Sequence, residues 1–448
     1  MPETDLRETV LQERFVEALK EPFAQATPRR RSVRFLLGSD EAIRHERRTA
    51  FAPRHLERLR VDLEGLGLEP ELFFVTGTGA RTDPAYPDAA YQAAGARAVS
   101  VDEAAALDAV DLVHALKEPT AYEATLAGPF VRLGALHLAS RPPGVCAMLR
   151  RGRVTAILDG ATVGDCSYRL TGGDRTPIVG SMSRFAGAVA GRKVAEALDL
   201  RGLGPGPIVV VGAGIAGRAA IRKVAAHAVP LRVVEPWRPS RERLTSLLPA
   251  LGIEHFKIVE AVSDELFDDA VGLVFAHRSG ARAAEKVCRL EQIERMRDGA
   301  AIADIAIDQG GSIAHDGYDM NDDAETARGK YIQLLGGRFS YYAEVNMPRE
   351  EPREASDLHG DSSLPYVTVF LVLCALHDGP AAAIDALLER PRRVLSDDDP
   401  PPSDLLEAVL QDLRNGVQIV LREDAMEITD PDVAADAALS GWVRSCTE

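Results

Sequence analysis

The sequence predicts an α/β protein of two doubly wound domains with a cofactor and substrate cleft between them. Three observations carry this expectation. Short apolar runs alternate with helix-like stretches, one run ends in a glycine fingerprint, and 448 residues are enough for two such sets. The first set of runs is Val33–Leu37, Glu71–Val75, Leu112–Leu116 and Val131–Leu138, with helix-like segments at Pro53–Leu63 and Pro84–Ala94. The second set is Ile208–Gly212, Leu231–Glu235, Val271–Ala276 and Ala300–Ile307. Strands that alternate with helices pair in parallel, because parallel neighbours need a long crossover and a helix supplies it.

The elements around these sets give the boundaries. Residues 1–31 read as an N-terminal extension, with an amphipathic stretch from Asp5 to Lys20 before Pro22 and Pro28 break the chain. Residues 32–178 hold the first α/β domain and 179–346 the second. A long helix, Ser183–Leu200, leads into the second domain and Gly202–Pro207 ends it. Residues 347–448 return to the first domain through Pro348, Pro352 and Pro365, with apolar helical sequence near 366–376, and add a C-terminal extension. In the tail, Ser403 reads as the N-cap of a helix over Asp404–Arg414 and Gly416 as its stop.

Composition narrows the function classes. Apolar residues make up 46% of the chain, which supports a sizeable core, and the formal charge is -16. So acidic a chain gains little from a phosphate backbone, so nucleic acid is not expected as a partner. The run Arg29-Arg30-Arg31 reads as a solvated linker. Five cysteines with no CxxC pair read as free thiols of a reducing compartment. The first residues lack an apolar signal region, and no stretch reaches the ~18 uninterrupted apolar residues of a membrane span. The expectation is a soluble, cytoplasmic protein without a membrane partner.

The clearest motif is Ile208-Val209-Val210-Val211-Gly212-Ala213-Gly214-Ile215-Ala216-Gly217. GxGxxG alone is a weak signal, but here it follows a buried-type strand and opens a helix. Gly212 permits the tight turn, Gly214 lets the backbone approach a pyrophosphate, and Gly217 lets helix and strand pack closely. The backbone from Gly214 through Ile215 and Ala216 offers helix N-terminal N–H groups to the phosphates. Glu235 ends the next strand 18 residues after Gly217. Its carboxylate is placed to accept ribose hydroxyls and repel a 2′-phosphate, which favours NAD over NADP; Arg238 and Arg241 leave that choice open. Both domains are therefore expected to be Rossmann-like.

Four further motifs are Glu46-Arg47-Arg48-Thr49-Ala50-Phe51-Ala52-Pro53, Leu116-Lys117-Glu118-Pro119, Leu136-His137-Leu138-Ala139 and Asp304-Ile305-Ala306-Ile307-Asp308-Gln309-Gly310-Gly311. Together they make the sequence resemble the alanine dehydrogenase family, with the nicotinamide-binding part of proton-translocating transhydrogenase, over roughly residues 32 to 376. The saccharopine-forming lysine dehydrogenases share weaker versions of the first three. The resemblance implies a substrate (catalytic) domain followed by an NAD-binding domain. It implies oxidative deamination of a 2-amino acid, or reductive amination of the 2-oxo acid, with NAD and no metal. It further implies a homo-oligomer.

The residues agree with these implied roles. A carboxylate substrate needs a cation, and Arg48 stands where the family places its arginine clamp. Lys117 closes the run Leu112–Leu116 at the edge where α/β sheets place ligands, and holds the substrate's carboxylate or carbonyl oxygen. His137, read inside an apolar strand, titrates near neutrality and can exchange the proton of the carbonyl or carbinolamine oxygen. Asp308 positions either the nicotinamide ribose or the entering ammonia or water; as a structural residue it would be a helix N-cap. By resemblance, Ser183 lines the cofactor cleft beside Met182, and Asn346 and Met347 contact the nicotinamide side, Asn346 near the substrate.

The departures concern the substrate. Ala135 stands where the family commonly has an aromatic, Arg184 where it has an acid, and the loop before the nucleotide strand is cut to Gly202–Pro207. An amino acid larger than alanine or differently charged is expected to fit as well. Two other readings remain: saccharopine-type reductive condensation of an amino acid with a 2-oxo acid, and a non-catalytic NAD-binding module.

Overall fold

In the computed structural model of the protein the residues described are 16–20, 23, 25–39, 46–136, 138, 141–151, 153–160, 163, 178–277, 284–307, 310–314, 331–344, 346–392, 404–422 and 425–447. The chain divides into two compact units, Met1–Ser181 with Glu351–Glu448, and Met182–Glu350.

In the first unit, β1 (Ser32–Leu37), β2 (Glu69–Val75), β3 (Arg97–Val99), β4 (Leu112–His114), β5 (Phe130–Gly134) and β6 (Val154–Asp159) pair in parallel in the order β6-β5-β4-β1-β2-β3. From the C-terminal region, β16 (Val417–Arg422) pairs antiparallel with β6, and β17 (Ala425–Ile428) antiparallel with β16. Helices Pro53–Gly65, Pro352–His377, Pro380–Leu388 and Leu405–Gly416 supply the apolar core of one sheet face. Helices Pro143–Arg151 and Ala437–Ser445 cover the other. Burial on both faces explains why β4 and β5 are buried at every position.

The second unit repeats the plan. Its β7 (Gly206–Val211), β8 (Ala228–Val234), β9 (Phe256–Val259), β10 (Gly272–Phe275), β12 (Ala301–Asp304), β14 (Tyr331–Leu334) and β15 (Phe339–Tyr342) lie in the order β14-β15-β12-β10-β7-β8-β9. Among the described residues only the β14–β15 pair is antiparallel. Two short strands, β11 (Cys288–Arg289) and β13 (Ile313–Ala314), pair separately. Both sheets thus have the winding of a Rossmann fold, as expected. Each has a switch point, β1/β4 in the first and β7/β10 in the second, and open α/β sheets bind ligands beyond the carboxyl ends of such strands.

Several local expectations are corrected. The run Val131–Leu138 is strand only to Gly134, because its partner β6 ends opposite, at Asp159, and β4 one residue earlier, at His114. His137, read inside that run, lies outside the described residues. The runs Leu112–Leu116 and Ala300–Ile307 likewise shorten to β4 and β12, and Pro84–Ala94 is helical only over Asp88–Ala93. The tail helix is capped by Asp404, whose carboxylate accepts the Glu407 N–H at 2.8 Å; Ser403 lies outside the described residues. Gly416 is its last residue, where a Cβ would collide with Val163. Arg30 is no solvated linker residue. Its guanidinium pairs with the buried Asp111, and its backbone N–H donates to the Ala375 carbonyl. Among the described cysteines, Cys146 and Cys446 form a disulfide, with Cα atoms 4.6 Å apart across 300 residues of sequence, while Cys288 and Cys374 are free and buried. No local spacing could signal that pair, and the compartment read from unpaired cysteines loses its support.

Helix Pro352–His377 is, among the described residues, long and apolar enough to cross a membrane, but 83% of its apolar window is buried inside the protein. It is the central helix of the first unit's core.

Candidate functional site

The loop after β1 carries the first charged group. Glu46 turns its carboxylate back onto Arg48: Oε1 accepts from Arg48 Nε and Oε2 from Nη2, each at 2.8 Å, and Oε1 also accepts the Arg47 and Arg48 backbone N–H groups at 3.0 Å. Both side chains are almost wholly buried. Burial alone would raise the Glu46 carboxyl, but the charge and hydrogen bonds of Arg48, with the charge of Lys117, outweigh it and lower it to about 2. The fork expected to clamp a substrate is thus engaged by a carboxylate two residues away.

Lys117 lies half-buried in the loop after β4, across the switch point from Glu46 and Arg48. Its backbone is held by Arg132, from the middle of β5, whose Nη2 donates to the Lys117 carbonyl while Nε donates to Glu123 Oε2 at 3.0 Å. Glu123 Oε1 in turn accepts the Thr120 N–H at 3.2 Å. Arg132 and Glu123 have fully buried side chains. A buried ion pair within an apolar run gives no periodic signal, and sequence reasoning missed it.

Beneath the Arg48 loop lies a row of rings. Phe51 is 5.5 Å from His55 and 5.0 Å from His114, centroid to centroid, and His114 stacks on His359 at 5.6 Å. His55 Nδ1 accepts the Ala52 N–H at 2.9 Å, so its proton is on Nε2, which donates to Asp361 Oδ1 at 3.0 Å. Gly360 makes room for this ring, since a Cβ there would collide with it. His114 Nδ1 donates to the Leu133 carbonyl, and its Nε2 faces Ser363 Oγ, both at 3.2 Å. Burial lowers His114 to about 3, so it is neutral. His359 is different: both ring nitrogens are buried with no hydrogen-bond partner among the described residues. Leaving such groups unsatisfied costs about 1–3 kcal/mol each. The sequence offered no motif for it.

In the second unit, Gly212 has φ +89°, and a Cβ there would lie 2.7 Å from the backbone nitrogen of His277, just beyond β10. Glycine is required on both counts. A Cβ at Gly217 would collide with the Gly212 carbonyl oxygen. Gly217→Ala is therefore expected to cost the second unit about 1–3 kcal/mol, read from its thermal unfolding. Gly214 is exposed, with nothing within 4 Å of the place a Cβ would take, and it is the N-cap of helix Ile215–Val224. Ile215 is half-buried, and Ala216 and Gly217 are buried. Gly214 thus leaves an open cradle beside free helix N–H groups, which fits a diphosphate. His277 adds two buried ring nitrogens without a partner among the described residues.

Glu235 is buried directly after β8, and its carboxylate closes the turn: Oε2 accepts the Ala213 N–H at 2.8 Å and Oε1 the Trp237 N–H at 2.9 Å. Each oxygen has a second lone pair for a ribose hydroxyl. Arg241 pairs with Glu260, and Arg238 with Glu242 at 2.9 Å. Ser183 is half-buried in helix Ile178–Arg201. Asn346 adopts φ +66°, a left-handed conformation asparagine tolerates better than most residues, and Met347 follows, buried, in a 3-10 turn. Asp304 is buried at the end of β12 and accepts from the Ala306 N–H, the Ser312 N–H and hydroxyl, and the Tyr341 hydroxyl, at 2.7–3.0 Å. It ties Ala306 and Ser312 to the end of β12. Asp308 and His137 themselves lie outside the described residues.

The structure therefore brings Glu46, Arg48 and Lys117 together at one switch point, and Gly212, Gly214, Gly217 and Glu235 at the other. Two Rossmann-like units with a charged carboxyl edge on one and a glycine turn on the other define the class. Residues 39–186 match the N-terminal domain, and 182–377 the C-terminal domain, of alanine dehydrogenase/PNT. The chain belongs to that family. It is 26% identical to an alanine dehydrogenase of Halomonas elongata over 72% of this chain and 84% of that one. It is 25% identical to one of Bacillus subtilis over 64% and 75%. Among solved structures, an L-alanine dehydrogenase aligns with a TM-score of 0.64 at 20% identity, covering 92% of this chain and 99% of that one. A transhydrogenase from Sinorhizobium meliloti aligns with a TM-score of 0.59 at 19% identity, over 76% and 95%.

Proposed function

We propose that the protein is an NAD-dependent amino-acid dehydrogenase that interconverts a 2-amino acid and its 2-oxo acid. The observation that carries this reading is the grouping of Arg48 and Lys117 around the carboxylate of Glu46 at the switch point of the first sheet. A guanidinium and an ammonium grouped there are the side chains suited to draw in a substrate carboxylate and steer its orientation. Lys117 holds the substrate's carboxylate or carbonyl oxygen, and His137 exchanges the proton at that oxygen. Asp308, four residues after the buried Asp304, places the entering ammonia or water or the cofactor ribose.

NAD, when bound, supplies the hydride acceptor. Gly212, Gly214, Ile215, Ala216 and Gly217 would hold its diphosphate, and Glu235 its adenosine ribose. Ser183 and Met347 would line its nicotinamide side, with Asn346 turned toward the substrate. The alanine dehydrogenase relatives support the reaction class, and the carboxylate of Glu235 supports NAD over NADP.

The test is NAD reduction by the purified protein across a panel of 2-amino acids at alkaline pH. It is repeated in reverse with 2-oxo acids, ammonia and reduced NAD. Lys117→Ala and His137→Ala are each expected to lower kcat/KM by about a hundredfold or more. Oxidation of reduced NAD only when an amino acid and an oxo acid are supplied together would replace this reading with reductive condensation. Tight NAD binding without turnover would leave a binding module.

A further inference from the structure

His359 sits at a defined place on helix Pro352–His377. Ser356, His359 and Ser363 follow one another at i, i+3 and i+7 and share one helix face. Ser356 Oγ accepts the Thr49 N–H at 3.0 Å, at the foot of the Arg48 loop. Ser363 Oγ meets His114 Nε2 at the end of β4. His359, between them, therefore faces the ground where the Arg48 loop and the β4 edge converge. It stacks on His114, and the charges of Arg48 and Glu46 both act on it. It is only 3% exposed, and neither ring nitrogen has a partner among the described residues. A leucine would fill the same space without leaving two polar atoms unanswered, so the imidazole calls for a partner that comes and goes.

Resting on the dehydrogenase reading, we propose that His359 determines specificity by hydrogen-bonding a neutral polar group on the substrate's side chain. Burial first, then the neighbouring His114 and Arg48, hold the ring well below its ordinary value, so it is neutral. A neutral imidazole offers one N–H donor and one acceptor. A carboxylate answers only the donor and an ammonium only the acceptor. The two nitrogens point away from each other, so one group meets only one of them; a hydroxyl or a carboxamide can donate or accept at either without bringing an unpaired charge into this buried place. The substrate class is thus a 2-amino acid with a hydroxyl or carboxamide side chain, bound through its carboxylate at Arg48 and Lys117. A site built to hydrogen-bond such a group rejects the analogue lacking it far more strongly than an apolar pocket rejects a missing methylene.

The test compares kcat/KM for near-isosteric pairs, serine against 2-aminobutyrate and asparagine against leucine, in the wild type, His359→Leu and His359→Gln. The wild type is expected to prefer the polar member of at least one pair by about a hundredfold. His359→Leu is expected to lose at least about tenfold of that preference while its thermal midpoint holds or rises, because the unanswered polar atoms are gone. His359→Gln, which keeps a donor and an acceptor, is expected to retain most of it. A wild type that prefers the aliphatic members overturns the proposal without any variant. So does a preference that His359→Leu leaves unchanged, which would assign the ring to packing or to an internal water. Turnover without the preference sinks this inference alone, whereas no turnover of any 2-amino acid sinks the dehydrogenase reading and this inference with it.

Discussion

Arg132→Met is expected to cost the first unit about 3–5 kcal/mol of stability. Methionine fills much of the space, but it leaves Glu123 as a carboxylate with a fully buried side chain and no guanidinium. It also removes the donor to the Lys117 carbonyl. The loss is measured from urea unfolding, and a control separates its two causes. Adding Glu123→Leu is expected to restore most of the stability, since breaking a buried pair is far worse than replacing both members. It should not restore turnover, because the Lys117 loop is still without its anchor. Recovery of both stability and KM in the double variant would refute the anchoring role of Arg132.

Glu46→Gln is the second large effect. The substitution keeps the shape of the side chain but takes the bidentate carboxylate from Arg48, again for about 3–5 kcal/mol at neutral pH. The pH dependence follows from the direction of the shift. Glu46 is lowered from an ordinary 4.5 to about 2 in the folded protein. A carboxyl lowered on folding stabilises the fold fully above its unfolded value and ceases to do so as pH falls through its folded value. The stability difference between wild type and Glu46→Gln should therefore be constant from neutrality down to about pH 5, then shrink steadily toward pH 2. Urea midpoints of both proteins at pH 7, 4 and 3 measure it. A difference that stays flat to pH 3 would mean that Glu46 is not held as a carboxylate by Arg48.

What could be read from the sequence, and what could not, divides along a physical line. The glycine turn was legible because its residues are adjacent and each glycine answers a local demand: a positive φ at Gly212 and contact with a neighbouring backbone at Gly217. Arg48 and Lys117 stand out in the sequence because short motifs carry them, and the fold sets both beside Glu46. The Rossmann winding followed from the alternation of strand and helix patterns. Strand ends were less legible, because a strand stops where its partners stop. Gly134 ends β5 opposite the end of β6 and one residue past the end of β4, which no reading of residues 131–138 alone contains. Residues joined by long-range contacts were not legible at all. Arg132 looks like an interruption of an apolar run until Glu123 and the Lys117 carbonyl are placed around it. His359 is one histidine in a helix until the Arg48 loop and His114 are packed against it. Cys146 and Cys446 look unpaired until both reach the same sheet face.

The C-terminal addition to the first sheet has a consequence for synthesis on the ribosome. The second unit is one continuous stretch of chain, so all its strands are available once residue 350 has emerged. The first unit is not. Its central helix, Pro352–His377, and the strand that pairs with β6, Val417–Arg422, are made after the whole second unit. Until then β6 keeps an open hydrogen-bonding edge, and one face of its sheet lacks its largest cover. The first half of the chain must therefore wait as a partly assembled sheet while the second half folds, the kind of exposed intermediate on which chaperones act. Expression should accordingly be more sensitive to truncation before Val417 than to comparable changes on the surface of the second unit.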